Sequence, residues 1–147
     1  MKDSKNTLSR VKMKGLFDAS AIINLAISSG AKATGEISGG SGIPLTFYEL
    51  GNSIWKLHLQ LKKISKEEAK TLLENSLRLY GLLGKISLEG EGAKIEELAI
   101  SQRITFYESS YLYAAKRENL TLVTDDERLA GAAKSQKISV VSSVSTA

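Results

Sequence analysis

Short apolar runs, two of them closed by an acid or a hydroxyl, alternate along this chain with longer segments of helical spacing, and that alternation restricts the fold more than any other feature. Gly15-Leu16-Phe17-Asp18 reads as a buried strand ending at an acid, and Ala19 to Ser28 as a helix that begins at the strand end. Gly30 to Gly42 is rich in Gly and Ser and is expected to be a mobile loop. After Pro44, the spacing predicts one long helix over Leu45–Leu61 with a buried stripe of Phe47, Leu50, Ile54, Trp55, Leu57 and Leu61. Ser65-Lys66-Glu67-Glu68 is a capping-box pattern that starts a further helix. Ala69, Leu72, Leu73, Ser76, Leu77 and Tyr80 form its inner face, and Gly81 and Gly84 stop it before a short strand at Lys85–Leu88.

A helix from Ala93 turns inward with Ile95, Leu98 and Ala99, and Arg103 to Phe106 turns the chain. Tyr107 to Lys116 is helical, with Tyr107, Tyr111, Ala114 and Ala115 at spacings of three and four. Leu120 to Thr124 is a β-branched strand, Asp125 to Ala133 a helix and Ile138 to Val141 a closing strand. Strands joined through helices by few residues pair in parallel, with helices on both faces. The expected class is therefore α/β, a three-layer α/β/α sandwich around a central, mainly parallel sheet. Residues 14–141 make one domain, 1–13 a basic tail and 142–147 a short polar tail.

The 147 residues contain no cysteine and one histidine, which removes disulfides, thiolate zinc sites and imidazole-rich metal centres. Any metal must be held by oxygen. No apolar run is long enough to span a membrane and the N-terminus lacks a signal-peptide core, so the expected compartment is the cytoplasm and no membrane contact is expected. The net charge of +4 does not by itself point to nucleic acid. Residues 1–14 hold five basic side chains and one acidic, whereas the other 133 hold 15 of each. The basicity belongs to the tail, which reads as a solubilising leader or as an RNA contact.

In open parallel sheets ligands collect beyond the carboxyl ends of the strands. Asp18 follows the first strand and Asp126 lies just past Thr124, while Glu49 and Glu108 interrupt the apolar starts of two helices. Plain structural alternatives exist: Asp18 as a helix cap, Asp125 and Asp126 as complements to a helix dipole, and Glu49 as a solvated side chain. Four acids converging with no matching Arg or Lys in their motifs call for a divalent cation, and oxygen-only ligation selects Mg2+ or Mn2+.

Four segments carry a resemblance. They are Phe17-Asp18-Ala19-Ser20-Ala21-Ile22; Pro44 through Tyr48-Glu49-Leu50-Gly51-Asn52-Ser53-Ile54-Trp55-Lys56; Ile104-Thr105-Phe106-Tyr107-Glu108-Ser109-Ser110-Tyr111-Leu112-Tyr113-Ala114-Ala115; and Leu122-Val123-Thr124-Asp125-Asp126-Glu127-Arg128-Leu129. In this order and spacing the chain resembles PIN-domain proteins, and is most similar to the VapC toxins of type II toxin–antitoxin systems. The resemblance implies a Mg2+- or Mn2+-dependent ribonuclease acting on single-stranded RNA, a homodimer, held inactive by a VapB-like antitoxin. It implies catalytic and metal-binding roles for Asp18, Glu49, Glu108 and Asp126, and auxiliary roles for Ser20 and Thr124. One position departs from the family pattern, which has Asp where Glu108 stands. The extra methylene moves the carboxylate by ~1.5 Å, and misplacement of about 1 Å can cost roughly a hundredfold in rate. The alternative is thus a weakened or inactive PIN-fold module that binds RNA or a partner.

Asp125 is an auxiliary to Asp126 or its substitute as ligand. Asn52, one turn after Glu49, either shares its face or is a polar surface residue. Trp55 and Tyr107, Tyr111 and Tyr113 stack RNA bases or serve as core and dimer contacts. His58 has no partner in sequence and reads as structural or exposed. Lys62, Lys63 and Lys66 form a solvated face or an RNA-backbone contact. A receiver-like regulator also places an acid after a strand, but the acid pair it needs earlier in the chain is missing.

Overall fold

The computed structural model describes residues 14–143; the tail expected over 1–13 and the last four residues of that expected over 142–147 lie outside them. Five short strands, β1 (Gly15–Phe17), β2 (Ser41–Gly42), β3 (Gly84–Lys85), β4 (Thr121–Val123) and β5 (Val140–Val141), form one sheet in the order β3-β2-β1-β4-β5. Every pairing is parallel, with Leu16 beside Leu122 and Phe17 beside Val123. The described helices are α1 (Ala19–Ser28), α2 (Ala33–Ile37), α3 (Pro44–Trp55), α4 (Lys66–Gly81), α5 (Gly92–Gln102), α6 (Phe106–Glu118) and α7 (Glu127–Ser135).

Strand side chains alternate between faces, and the core divides accordingly. Phe17 and Val123 pack with Ile22, Leu25, Ile37, Leu50, Ile54 and Leu79 on one side of the sheet. Leu16 and Leu122 pack with Tyr111, Leu112, Ala115, Leu129 and Ala133 on the other. The three layers expected from the alternation are the architecture observed, with β1 in the centre and its carboxyl end flanked by β2 and β4.

Two local expectations are corrected. Residues 30–42 are not a mobile loop: a 3-10 turn (Gly30–Lys32), α2 and β2 occupy them, and Ala33 and Ile37 are buried. The glycines serve close packing. A Cβ on Gly40 would stand 2.6 Å from the Phe17 ring and 3.0 Å from the Ile37 carbonyl oxygen. The long helix expected over Leu45–Leu61 ends as an α-helix at Trp55 and continues as one wide turn, Lys56–Gln60, closed by Leu61 N–H donating to the Lys56 carbonyl at 2.9 Å. Its buried face is Thr46, Leu50 and Ile54, a narrow i, i+4, i+8 stripe. Phe47, Trp55 and Leu61 lie about half exposed on its flanks.

Caps account for the sharp helix starts. Ser65 Oγ accepts from Glu68 N–H and Glu68 Oε1 from Ser65 N–H, the expected capping box. Ser76 is buried on the inner face of α4 as expected, together with Leu79, which the spacing argument omitted. No described helix is long and apolar enough to cross a membrane.

Candidate active site

Asp18 is placed by the sheet and then by the helix that follows it. Its N–H donates to the Val123 carbonyl at 3.2 Å, fixing it at the carboxyl edge of β1. Its Oδ1 caps α1 by accepting from Ala21 N–H at 2.9 Å, and also accepts from Ser20 Oγ at 2.8 Å. The cap and the cleft carboxylate are therefore the same group. Oδ2 accepts from Thr124 Oγ1 at 2.5 Å. Only 5% of the residue is exposed. Burial pushes its pKa to about 6, against the pull of hydrogen bonds from Thr124, Ala21 and Ser20 and with added repulsion from Asp126.

Ser20 and Thr124 act as a bridge between this carboxylate and the turn after β4. Ser20 Oγ accepts from Asp125 N–H at 2.9 Å, and Thr124 Oγ1 accepts from Asp126 N–H at 3.0 Å. Each hydroxyl thus relays a backbone donor to Asp18.

Glu49 projects from α3, where Tyr111 of α6 donates its hydroxyl to Oε1 at 2.5 Å. Tyr111 has one proton to give, so the 2.6 Å contact with Thr46 Oγ1 has Thr46 as donor. Burial raises the Glu49 pKa, the Tyr111 bond lowers it, and repulsion from Asp18, Asp126 and Glu108 raises it further. Neither Thr46 nor Tyr111 was singled out for this site by the sequence. The available signal was general: a buried Tyr hydroxyl needs a partner.

Glu108 is otherwise engaged. It is the third residue of α6, and its Oε1 accepts from Thr105 N–H at 2.9 Å while its own N–H donates to Thr105 Oγ1 at 2.9 Å. This is a second capping box. Oε2 lies 3.2 Å from Arg128 Nε. Asp126 caps α7, with Oδ1 accepting from Arg128 and Leu129 N–H groups at 2.9 and 3.2 Å.

Asp125 is held in a clasp of its own. Asn24 Nδ2 donates to Oδ2 at 2.7 Å, the Ser143 N–H to Oδ1 at 2.8 Å, and the hydroxyls of Ser142 and Ser143 donate as well. Burial raises its pKa, but these bonds outweigh it and the net shift is downward. The polar tail expected from Ser142 thus begins with two residues that tie the chain to this turn. His58 Nδ1 meets the Ile64 carbonyl at 2.9 Å, in keeping with a structural role.

Asp18, Glu49, Glu108, Asp125 and Asp126 border one open cleft of about 470 Å³, together with Ser20, Asn52 and Lys56. Tyr107 and Trp55 are exposed, Tyr111 is buried, and Tyr113 donates to Glu91. The donor chemistry fits a hard divalent cation: carboxylate and hydroxyl oxygens, with neither the histidine nor any thiolate in the cleft. Among the described residues, however, no three acidic or imidazole side chains stand close enough to form a ready cage. Each of these carboxylates is instead held by a helix cap or a hydroxyl donor of its own.

No family model matches the chain. It is 33% identical over 85 residues to "Exonuclease VapC9" of Pyrobaculum aerophilum, a match covering 58% of this chain and 60% of that protein. The chain thus aligns with three fifths of the length of this curated relative. Its fold is similar to the crystal structure of PAE2754 from Pyrobaculum aerophilum, with a TM-score of 0.73, 24% identity, and coverage of 89% of this chain and 91% of that one.

Proposed function

We propose that this chain is a divalent-metal-dependent endoribonuclease for single-stranded RNA, the toxin of a type II toxin–antitoxin pair, working in the cytoplasm as a homodimer restrained by a VapB-like antitoxin. Residues 14–141 are its catalytic domain. The observation that carries this reading is the meeting, in one cleft, of Asp18, Glu49, Glu108 and Asp126 from four separate elements at the carboxyl edge of a parallel sheet. A nuclease-named relative supports it.

Asp18, Glu49 and Asp126 are the residues that would hold Mg2+ or Mn2+. When bound, the ion supplies Lewis-acid polarisation of the scissile phosphate and a more acidic attacking water. The protein's own groups do the rest. Thr124, Ser20 and the Ala21 N–H favour the ionised form of Asp18, and Tyr111 does the same for Glu49. Lys56, on the cleft wall one turn beyond Asn52, supplies a positive charge for an RNA phosphate. Large apolar side chains left exposed, Phe106 and Tyr107 on α6 and Ile100 on α5, suit a protein that is covered by a partner.

A second reading, a non-cleaving PIN-fold module that binds RNA or a partner, is favoured by one observation, the engagement of Glu108 by its own cap and by Arg128. End-labelled single-stranded RNA incubated with Mn2+, Mg2+ or EDTA tests both. The nuclease reading expects metal-dependent internal cuts that vanish in Asp18→Asn; a ladder of terminal losses would replace endonuclease by exonuclease, and intact RNA with retained RNA binding would favour the second reading.

A further inference from the structure

The four acids of the proposed catalytic set are not equivalent in what neutralises them. Asp18, Glu49 and Asp126 meet N–H and O–H donors, whereas Glu108 has, besides its cap, a cationic partner, Arg128 Nε at 3.2 Å from Oε2. The other ion pair among the described residues, Arg117 with Glu118, involves no residue of the cleft wall. Arg128 is linked to two of the acids at once, because its backbone N–H also donates to Asp126 Oδ1 at 2.9 Å. The Glu108 side chain is 17% exposed and that of Arg128 68%, so the pair joins a largely buried acid to a solvent-facing guanidinium.

Glu at this position completes a local cap. A third-residue carboxylate must reach back to the N-cap N–H, and Glu108 Oε1 does so at 2.9 Å. With that oxygen on the cap and the other beside a permanent positive charge, a metal ion at Glu108 would face the repulsion of Arg128 or have to displace it.

We propose that Arg128 takes the place of a second metal ion at Glu108, so that the cleft binds one divalent cation, on the side of Asp18, Glu49 and Asp126. This rests on the metal-dependent reading above. Glu108 is then a charge-balanced cap, and Arg128 a positioning residue that fixes the metal count.

Titration of the full chain with Mn2+ alone, without RNA, followed by the electron paramagnetic resonance of free Mn2+, measures that count directly. The expected result is one Mn2+ per chain in the parent, two in Arg128→Gln and one in Arg128→Lys, which keeps the charge. The exposed position of Arg128 leaves the fold of both variants intact, checked by circular dichroism. Two ions in the parent, or one in Arg128→Gln, overturns the proposal while leaving the metal-dependent reading in place. No Mn2+ bound by the parent sinks that reading and this proposal together.

Discussion

Thr124 Oγ1 donates to Asp18 Oδ2 across 2.5 Å, joining the residue after β4 to the residue after β1. The same oxygen accepts from Asp126 N–H, so one hydroxyl aligns two acids 108 positions apart in the chain. Thr124→Val keeps the shape and removes both bonds. With Asp18 and Thr124 buried, the loss should be about 1–3 kcal/mol of stability. Metal affinity should fall on the order of 10–100-fold, as is usual when the support of a ligand is removed. Urea denaturation and Mn2+ titration measure the two effects separately.

The pH dependence of stability has a definite sign. The Asp18 pKa is about 6 in the folded chain against 3.8 as the reference. Between those values the folded state binds more protons than the unfolded one, so stability falls as pH rises from about 4 to 6, in total by about 3 kcal/mol. Above pH 6 the cost is fully present. Asp18→Asn should remove Asp18's share of this slope and leave that of Glu49, whose pKa is also raised; denaturation midpoints at pH 4 and pH 7.5 will reveal the difference. Bound metal favours the ionised carboxylate, so saturating Mn2+ should stabilise the parent and not the variant. Because proton and metal compete for Asp18, the Mn2+ concentration needed for half-maximal cleavage should rise as pH falls through about 6.

Glu108→Asp installs the residue that the resemblance to PIN-domain proteins leads one to expect at this position. In this fold it shortens a capping-box carboxylate that also meets Arg128. The expected outcome is a stability loss of about 0.3–1.5 kcal/mol without a gain in rate. Thermal melting and single-turnover cleavage compared with the parent decide this, and a large gain in rate would show that the cap is not the reason for Glu at 108.

Tyr111→Phe removes the hydroxyl that lowers the Glu49 pKa and leaves the ring in the core. Glu49 should titrate at higher pH, and the acid limb of the cleavage profile should move upward with it. Loss of this supporting bond should weaken metal binding about 10-fold or more. A pH–rate profile of the variant tests this, and an unmoved acid limb would mean that Glu49 does not limit activity.

The order of strands and helices was legible in the sequence because burial requires a periodicity of 2 or 3.6, and that periodicity appears wherever a whole face is apolar. Helix starts were legible for a similar reason: Asp18 and Ser65 mark caps through chemistry confined to three or four residues. The layered α/β class and the gathering of acids at strand ends followed from these local signals together with chain order. What neutralises each acid did not follow. Tyr111 reaches Glu49 from 62 positions away, Asn24 reaches Asp125 from 101 and Thr124 reaches Asp18 from 106. Such pairings depend on where two helices and a strand end meet, to within a few tenths of an ångström. Likewise, the glycines of residues 30–42 read as loosening until packing set Gly40 against Phe17. Local composition thus determined which elements form, and only tertiary contact decided which carboxylates remain available for a cation, because hydrogen bonds and charge are satisfied by distance in space and not along the chain.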